Sequence, residues 1–255
     1  MKSPIKDSLN DFNKSLLILK SMIPKGKIID SFLFFSGELE FNLSESERFV
    51  IGHTCKYVIH EFWYCAMTDP ERIAEISNSM YPFKDEKMFY IFQENWPRYS
   101  DHFMRSALFF ILNRCSATGW PSFGKFEDRN FNPIALSNLK RFRPKNFYLC
   151  HDKTDDLIKA IDQATTKSDY ILAPVGKFSY NLFEQGKSKG YEMTSINHKE
   201  LAAYLDGVEK KWIVLYKNHL QLFKMYQKYN IVMIDKYGKT TEDKAKCEDL
   251  IIANF

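Results

Sequence analysis

The side chains best suited to acid–base or metal chemistry are His53, His60 with Glu61, and His151 with Asp152. No pair of histidines has the i, i+4 spacing that puts two imidazoles on one helix face for zinc, so the expectation is core or surface histidines and no metal. Five cysteines (55, 65, 115, 150, 247) form no C-x-x-C pair and are odd in number, which reads as reduced thiols, not a disulfide or zinc framework. The segment Y-I-L-A-P-V-G-K-F-S-Y-N-L-F (170–183) looks like a strand ending at the rim of an α/β active site, yet offers no carboxylate, His or Cys before residue 184. Its Gly-Lys lacks the second glycine and the length of a phosphate loop.

A second chemistry is nucleic-acid binding. The stretch L-K-R-F-R-P-K-N-F (139–147) interleaves Lys140, Arg141, Arg143 and Lys145 with aromatics, and Arg129 lies upstream. With Arg105, Arg114, Lys125 and Trp120 these residues could line a groove through phosphate contacts and stacking. A solvated basic loop is the competing reading, because the net charge is only +4.

Hydrophobic periodicity supplies the elements that would position these groups. Helical spacing occurs at 7–22, 56–67, 69–80, 85–96, 101–115, 155–164, 197–209 and 219–229. Asp69 and Pro70 form a helix start, and Pro24 with Gly26 end the first helix. Strands are expected at 27–35, 48–54, 147–151, 169–174, 211–216 and 231–235, with a last one in C-E-D-L-I-I-A-N-F (247–255). Residues 116–146 read as loop. Alternation of strand and helix at both ends implies an α/β sheet, with a core of 1–67 and 146–255 and a helical insert lobe at 68–145.

Composition bounds the class. Apolar residues make up 45% and aromatics 16%, enough for a substantial core. The apolar runs fall short of the ~20 residues of a membrane span. The N-terminus lacks the apolar stretch of a signal peptide, so the expectation is a protein of the cytoplasm or host-cell interior, not secreted and not in a membrane.

Taken in order, the segments resemble the Dam-type adenine DNA methyltransferases along nearly the whole chain. I-P-K-G-K-I-I-D-S-F-L-F-F-S-G (23–37) is similar to the family's strand and (D/E)-P-F-x-G-x-G turn. F-M-R-S-A-L-F-F-I-L-N-R-C-S-A-T-G-W (103–120) is similar to R-x-A-x-x-F-x-x-L-N-R-x-x-x-x-G. Y-I-L-A-P-V-G falls where the family has D-P-P-Y, and E-D-L-I-I-A-N-F resembles its closing strand. The resemblance implies a Rossmann-like S-adenosylmethionine-dependent methyltransferase fold.

It also implies where the chemistry should sit. In the family, the Asp of D-P-P-Y and the following carbonyl accept the hydrogens of the adenine amino group, and the Tyr stacks on the flipped base. Those positions are Ala173, Pro174, Val175 and Gly176. Phe178 or Tyr180 could supply a stack. Asp169 is four residues before Ala173, about 13 Å along a strand, too far to replace the carboxylate. At the cofactor turn, Asp30 and Phe32 match, but the glycine positions hold Phe34 and Ser36, with Gly37 one place late. The ribose-binding acid falls on His53 or its neighbours in G-H-T-C (52–55), and the family's N-terminal K-W-A-G-G-K has no counterpart. A Phe side chain at position 34 would be expected to fill the cofactor space.

The expectation is therefore a methyltransferase-like pseudoenzyme with no cofactor, retained for binding DNA or RNA. The alternatives are a structural or interaction subunit with a protein partner or as a homo-oligomer, and a divergent active adenine methyltransferase using S-adenosylmethionine.

Overall fold

The computed structural model describes residues 2–7, 11–80, 86–164, 167–178, 191–192 and 194–255. Among the described residues, seven strands form one sheet: β1 (Ile28–Ser31), β2 (Phe49–Thr54), β3 (Phe147–His151), β4 (Tyr170–Gly176), β5 (Lys211–Lys217), β6 (Asn230–Asp235) and β7 (Cys247–Ala253). Their order is β3-β2-β1-β4-β5-β7-β6. Strands β1 to β5 pair in parallel, and β7 is antiparallel to both β5 and β6. This is the Rossmann-like, methyltransferase-like sheet expected from the sequence.

Apolar residues alternate between two covered faces, which is why the central strands read as unbroken hydrophobic runs. Ile29, Tyr170, Leu172, Ile213, Leu215 and Ile251 face one layer, closed by α1 (Leu16–Met22) and α2 (Glu38–Glu45). Ile171, Ala173, Val175, Trp212, Val214, Tyr216 and Ile252 face the other. Helices α8 (Leu157–Gln163), α9 (His198–Leu205) and α10 (Leu220–Met225) close that side.

The helical segment comprises α3 (Tyr57–Thr68), α4 (Pro70–Met80), α5 (Glu86–Asn95), α6 (His102–Cys115) and α7 (Pro133–Lys140). Asp69 caps α4 by accepting from the Arg72 amide at 3.0 Å. Asp101 caps α6 through the Met104 amide at 2.7 Å. Helix α6 is buried from Ser106 to Asn113. These helices share one hydrophobic cluster with Phe34, Phe41 and Leu149.

Three sequence expectations change. Strand β1 stops at Ser31, because Leu33 adopts a left-handed φ of 59° and turns the chain away from the sheet. Helix α2 follows at once, with Gly37 at φ 69° as its N-cap residue, a conformation suited to glycine. Helix α7 replaces part of the expected loop: Asn132 accepts from the Ala135 amide and Pro133 occupies the first turn, while Ala135 and Leu139 are buried.

An N-terminal arm, residues 2–7, crosses the sheet's carboxyl edge. The Asn113 side chain accepts from the Lys6 amide (2.9 Å) and donates to the Lys6 carbonyl (2.8 Å). Ile5 is buried in the helical cluster. Asn113→Ala should lose these bonds, costing about 1–3 kcal/mol. Denaturation midpoints should fall, and limited proteolysis should begin within the arm.

Candidate functional site

Strand order reverses between β1 and β4, so a crevice must open beyond their carboxyl ends. A cavity of about 270 Å³ lies there, walled by Phe32–Glu40, His53–Cys55, Asp152, Pro174 and Val175, and by the N-terminal arm. Ser3 fastens the arm to the wall, its hydroxyl donating to the Ser36 carbonyl and its amide to Glu38 Oε2, both at 2.6 Å.

At the centre is His53. Its Nε2 lies 3.1 Å from Asp30 Oδ1 and its Nδ1 2.9 Å from Asp152 Oδ1. The ring stacks on Phe32 at 4.5 Å between centroids. Asp30 is fully buried, and its second oxygen accepts from Ser168 Oγ, which in turn accepts from Lys210 Nζ at 3.0 Å. Burial alone would lower the His53 pKa, but hydrogen bonds and charges from Asp152 and Asp30 outweigh it and raise the value to about 9. His53 is thus an imidazolium held by two carboxylates, tying the ends of β1, β2 and β3 together.

Other carboxylates on the wall are also tied into the protein. Glu40 accepts from Ser31 Oγ at 2.8 Å, and burial pushes its pKa up. Glu192 accepts from the Ser122 amide and hydroxyl, and burial raises it too.

The residues expected at the cofactor turn lie together here, but not in the expected manner. The Phe34 ring is buried in the core, packed with Phe41 (5.9 Å), Trp63 (5.7 Å) and Phe147 (5.2 Å). The cavity is open, so the expectation that Phe34 fills the cofactor space is corrected. Ser36 and Gly37 line the cavity, Gly37 with Phe41 and Phe34 against its backbone.

The β4 segment also differs from expectation. The strand runs two residues further, with a bulge between Pro174 and Gly176. Ala173 pairs with Val214 and points into the apolar layer beneath α8 and α9. Pro174 lines the cavity, as does Val175 from the margin of that same apolar layer, and neither side chain has a polar atom. Gly176 is buried with φ 88°. Phe178 contacts the rings of His198 (4.7 Å) and His219 (4.6 Å). Tyr180 lies outside the described residues. Asp169 accepts from the Ile28 amide (2.9 Å) and Lys27 (2.8 Å) at the opposite edge of the sheet, consistent with a strand start.

The histidine groupings are rearranged. His60 is not beside His53; its ring lies 4.9 Å from that of His151. Glu61 binds Arg105. His151 and Asp152 diverge, and it is Asp152 that meets His53. Cys150, which no motif singled out, comes within 3.8 Å of Asp152 Oδ1.

The basic set divides. Arg105 is engaged by Glu61, by the Ser100 carbonyl (2.9 Å) and by Tyr57 Oη (3.3 Å), so it is a structural ion pair and not a groove residue. Arg114 donates to the Asn130 carbonyl at 2.9 Å, with its pKa lowered by burial. Trp120 is buried and stacks on Phe35 at 4.4 Å. Arg129 pairs with Glu127, and Arg143 lies 3.6 Å from Glu71. Lys125, Lys140, Arg141 and Lys145 are exposed.

No family model matches the chain, and no curated protein matches it. Among solved structures, it is similar to a TehB-like SAM-dependent methyltransferase from Corynebacterium glutamicum, with 10% identity over 95% of this chain and 87% of that one and a TM-score of 0.40. The methyltransferase-like fold class rests on the strand order and the crevice. Among the described residues, no helix is long and apolar enough to cross a membrane.

Asp152 and Asp155 are among the carboxylates that line the cavity, but neither stands at the position where the resemblance puts the ribose-binding acid. The position that should accept from the ribose hydroxyls is His53, whose two nitrogens are both engaged.

Two outcomes follow. Phe34→Ala should cost about 3–5 kcal/mol in chemical denaturation, as loss of a core ring does; a neutral effect would place the ring outside the core. The His53 contribution to stability is full below its ordinary pKa of 6.5 and is lost as pH rises through about 9. The melting-temperature gap between the protein and His53→Gln should therefore narrow from pH 6.5 to pH 10.

Proposed function

We propose that this chain is a Dam-type methyltransferase-like protein that binds nucleic acid without transferring a methyl group and without holding S-adenosylmethionine in the family's manner. The observation that carries the reading is the β4 rim. Pro174 and Val175 are the β4 residues that line the cavity, and neither side chain supplies the acceptor that the Asp of the motif gives to an adenine amino group. Delocalisation makes that nitrogen a poor nucleophile, and preorganised acceptors are what such a site contributes to its transition state. The engagement of both His53 nitrogens by Asp30 and Asp152 supports the same reading, since the ring has no acceptor left for a ribose hydroxyl.

Nucleic-acid binding is supported by the exposed Lys125, Lys140, Arg141 and Lys145. Contacts of this kind are made to phosphates and release counterions, so affinity should fall steeply with salt. A protein-partner reading is favoured by a different observation. Strand β3 is a sheet edge, and Tyr148 on it is 68% exposed, with Phe49 on the neighbouring strand 51% exposed.

Two measurements test the proposal. Incubation with radiolabelled S-adenosylmethionine and mixed adenine-containing DNA and RNA should give no transfer above a protein-free control. Transfer that disappears in Tyr180→Ala would establish a divergent active enzyme instead. Binding to single- and double-stranded probes should be detectable at low salt. It should weaken in Lys140→Ala/Arg141→Ala/Lys145→Ala, with a shallower salt slope. Binding that ignores both salt and these changes would favour the protein-partner reading.

A further inference from the structure

His53, Cys150 and Asp152 come from β2, β3 and the turn after β3, and each offers a ligand atom within 4.8 Å of the others. An imidazole, a thiol and a carboxylate make a donor set suited to a borderline-soft divalent ion. In a tetrahedral zinc site with ordinary bond lengths, nitrogen and oxygen ligands lie about 3.3 Å apart, and sulfur and oxygen about 3.5 Å. The distances here are 2.9 Å for His53 Nδ1 to Asp152 Oδ1 and 3.8 Å for Cys150 Sγ to Asp152 Oδ1. Small side-chain shifts would bring all three onto one centre.

The surroundings support that use. A metal-bound histidine characteristically gives its other N–H to a carboxylate, which fixes the tautomer and ring orientation. His53 Nε2 already faces the buried Asp30 at 3.1 Å, and Asp30 is itself held by Ser168. The Phe32 ring lies flat against the imidazole and restrains its rotation. His53 and Asp152 also line the cavity, which leaves room for water as a fourth ligand.

We propose that His53 Nδ1, Cys150 Sγ and an Asp152 carboxylate oxygen form a binding site for Zn²⁺ or a similar divalent transition ion, with Asp30 as the positioning carboxylate. Binding displaces two protons, one from His53 Nδ1 and one from the Cys150 thiol, and forms bonds to nitrogen, sulfur and oxygen. The ion brings two positive charges and two protons leave, so the net charge of the site is unchanged. That balance lets a buried cluster exchange protons for a metal without gaining an unpaired charge.

The test is titration of the chelator-treated, reduced full chain with Co²⁺, followed by Zn²⁺ competition. One equivalent of Co²⁺ should give a thiolate-to-cobalt charge-transfer band, which Zn²⁺ then abolishes. Calorimetry in buffers of different ionisation enthalpy should show proton release, since the Cys150 thiol must lose its proton to become a ligand. Cys150→Ser should lose the band and bind Zn²⁺ at least about tenfold more weakly, and Asp152→Asn should weaken binding by a similar factor. Cys247→Ser should keep the band. Absence of the band in the unmodified chain, or its survival in Cys150→Ser, would overturn the assignment.

Discussion

A protonated histidine buried between two aspartates fixes the carboxyl edge of this sheet. His53 is almost inaccessible, as is Asp30, so each charge there is compensated by the other. The pair, with Asp152 as its outer member, joins β1, β2 and the turn after β3 where a doubly wound fold opens its crevice. Removing one partner would strand a charge in a low-dielectric layer, a change that breaking buried pairs places at about 3–5 kcal/mol. Phe32 stacks on the imidazole, and Ser168 and Lys210 extend the network away from the cavity. The geometry of the crevice therefore depends on a charge cluster that is internally satisfied.

That satisfaction has a functional consequence. A crevice that recognises a nucleoside needs acceptors and donors left over for the ligand. Here both nitrogens of His53 are taken up by Asp30 and Asp152, while the volume remains. Phe34 leaves the space open because its ring turns into the helical cluster, between Phe41, Trp63 and Phe147. The N-terminal arm then supplies a wall of its own, pinned by Ser3 and Asn113. Room and framework are those of a methyltransferase-like fold; the polar surface is different.

The sheet was legible in the sequence because a parallel strand covered on both faces is apolar at every position, as in Y-I-L-A and W-I-V-L-Y. Both faces of β4 and β5 are filled. The cap of α4 was legible from the Asp69-Pro70 pair, whereas the Asp101 cap of α6 was not singled out. Helices α2 and α7 were not, since each is eight residues long and amphipathic only against its neighbours. The His53 cluster was half visible: His53 and Asp152 were both singled out, but their pairing depends on the register of β2 against β3, which places His53 opposite Cys150. Likewise, Arg105 and Trp120 look like nucleic-acid contacts until tertiary packing gives them Glu61 and Phe35.

The most direct test of the account is calorimetric titration of the full chain with S-adenosylmethionine, with a crystal soaked in the same compound. The account predicts no heat of binding and an unchanged bond between His53 and each aspartate. Micromolar binding, with the ribose hydroxyls seated against Asp30 or Asp152 and the His53 ring displaced, would contradict it.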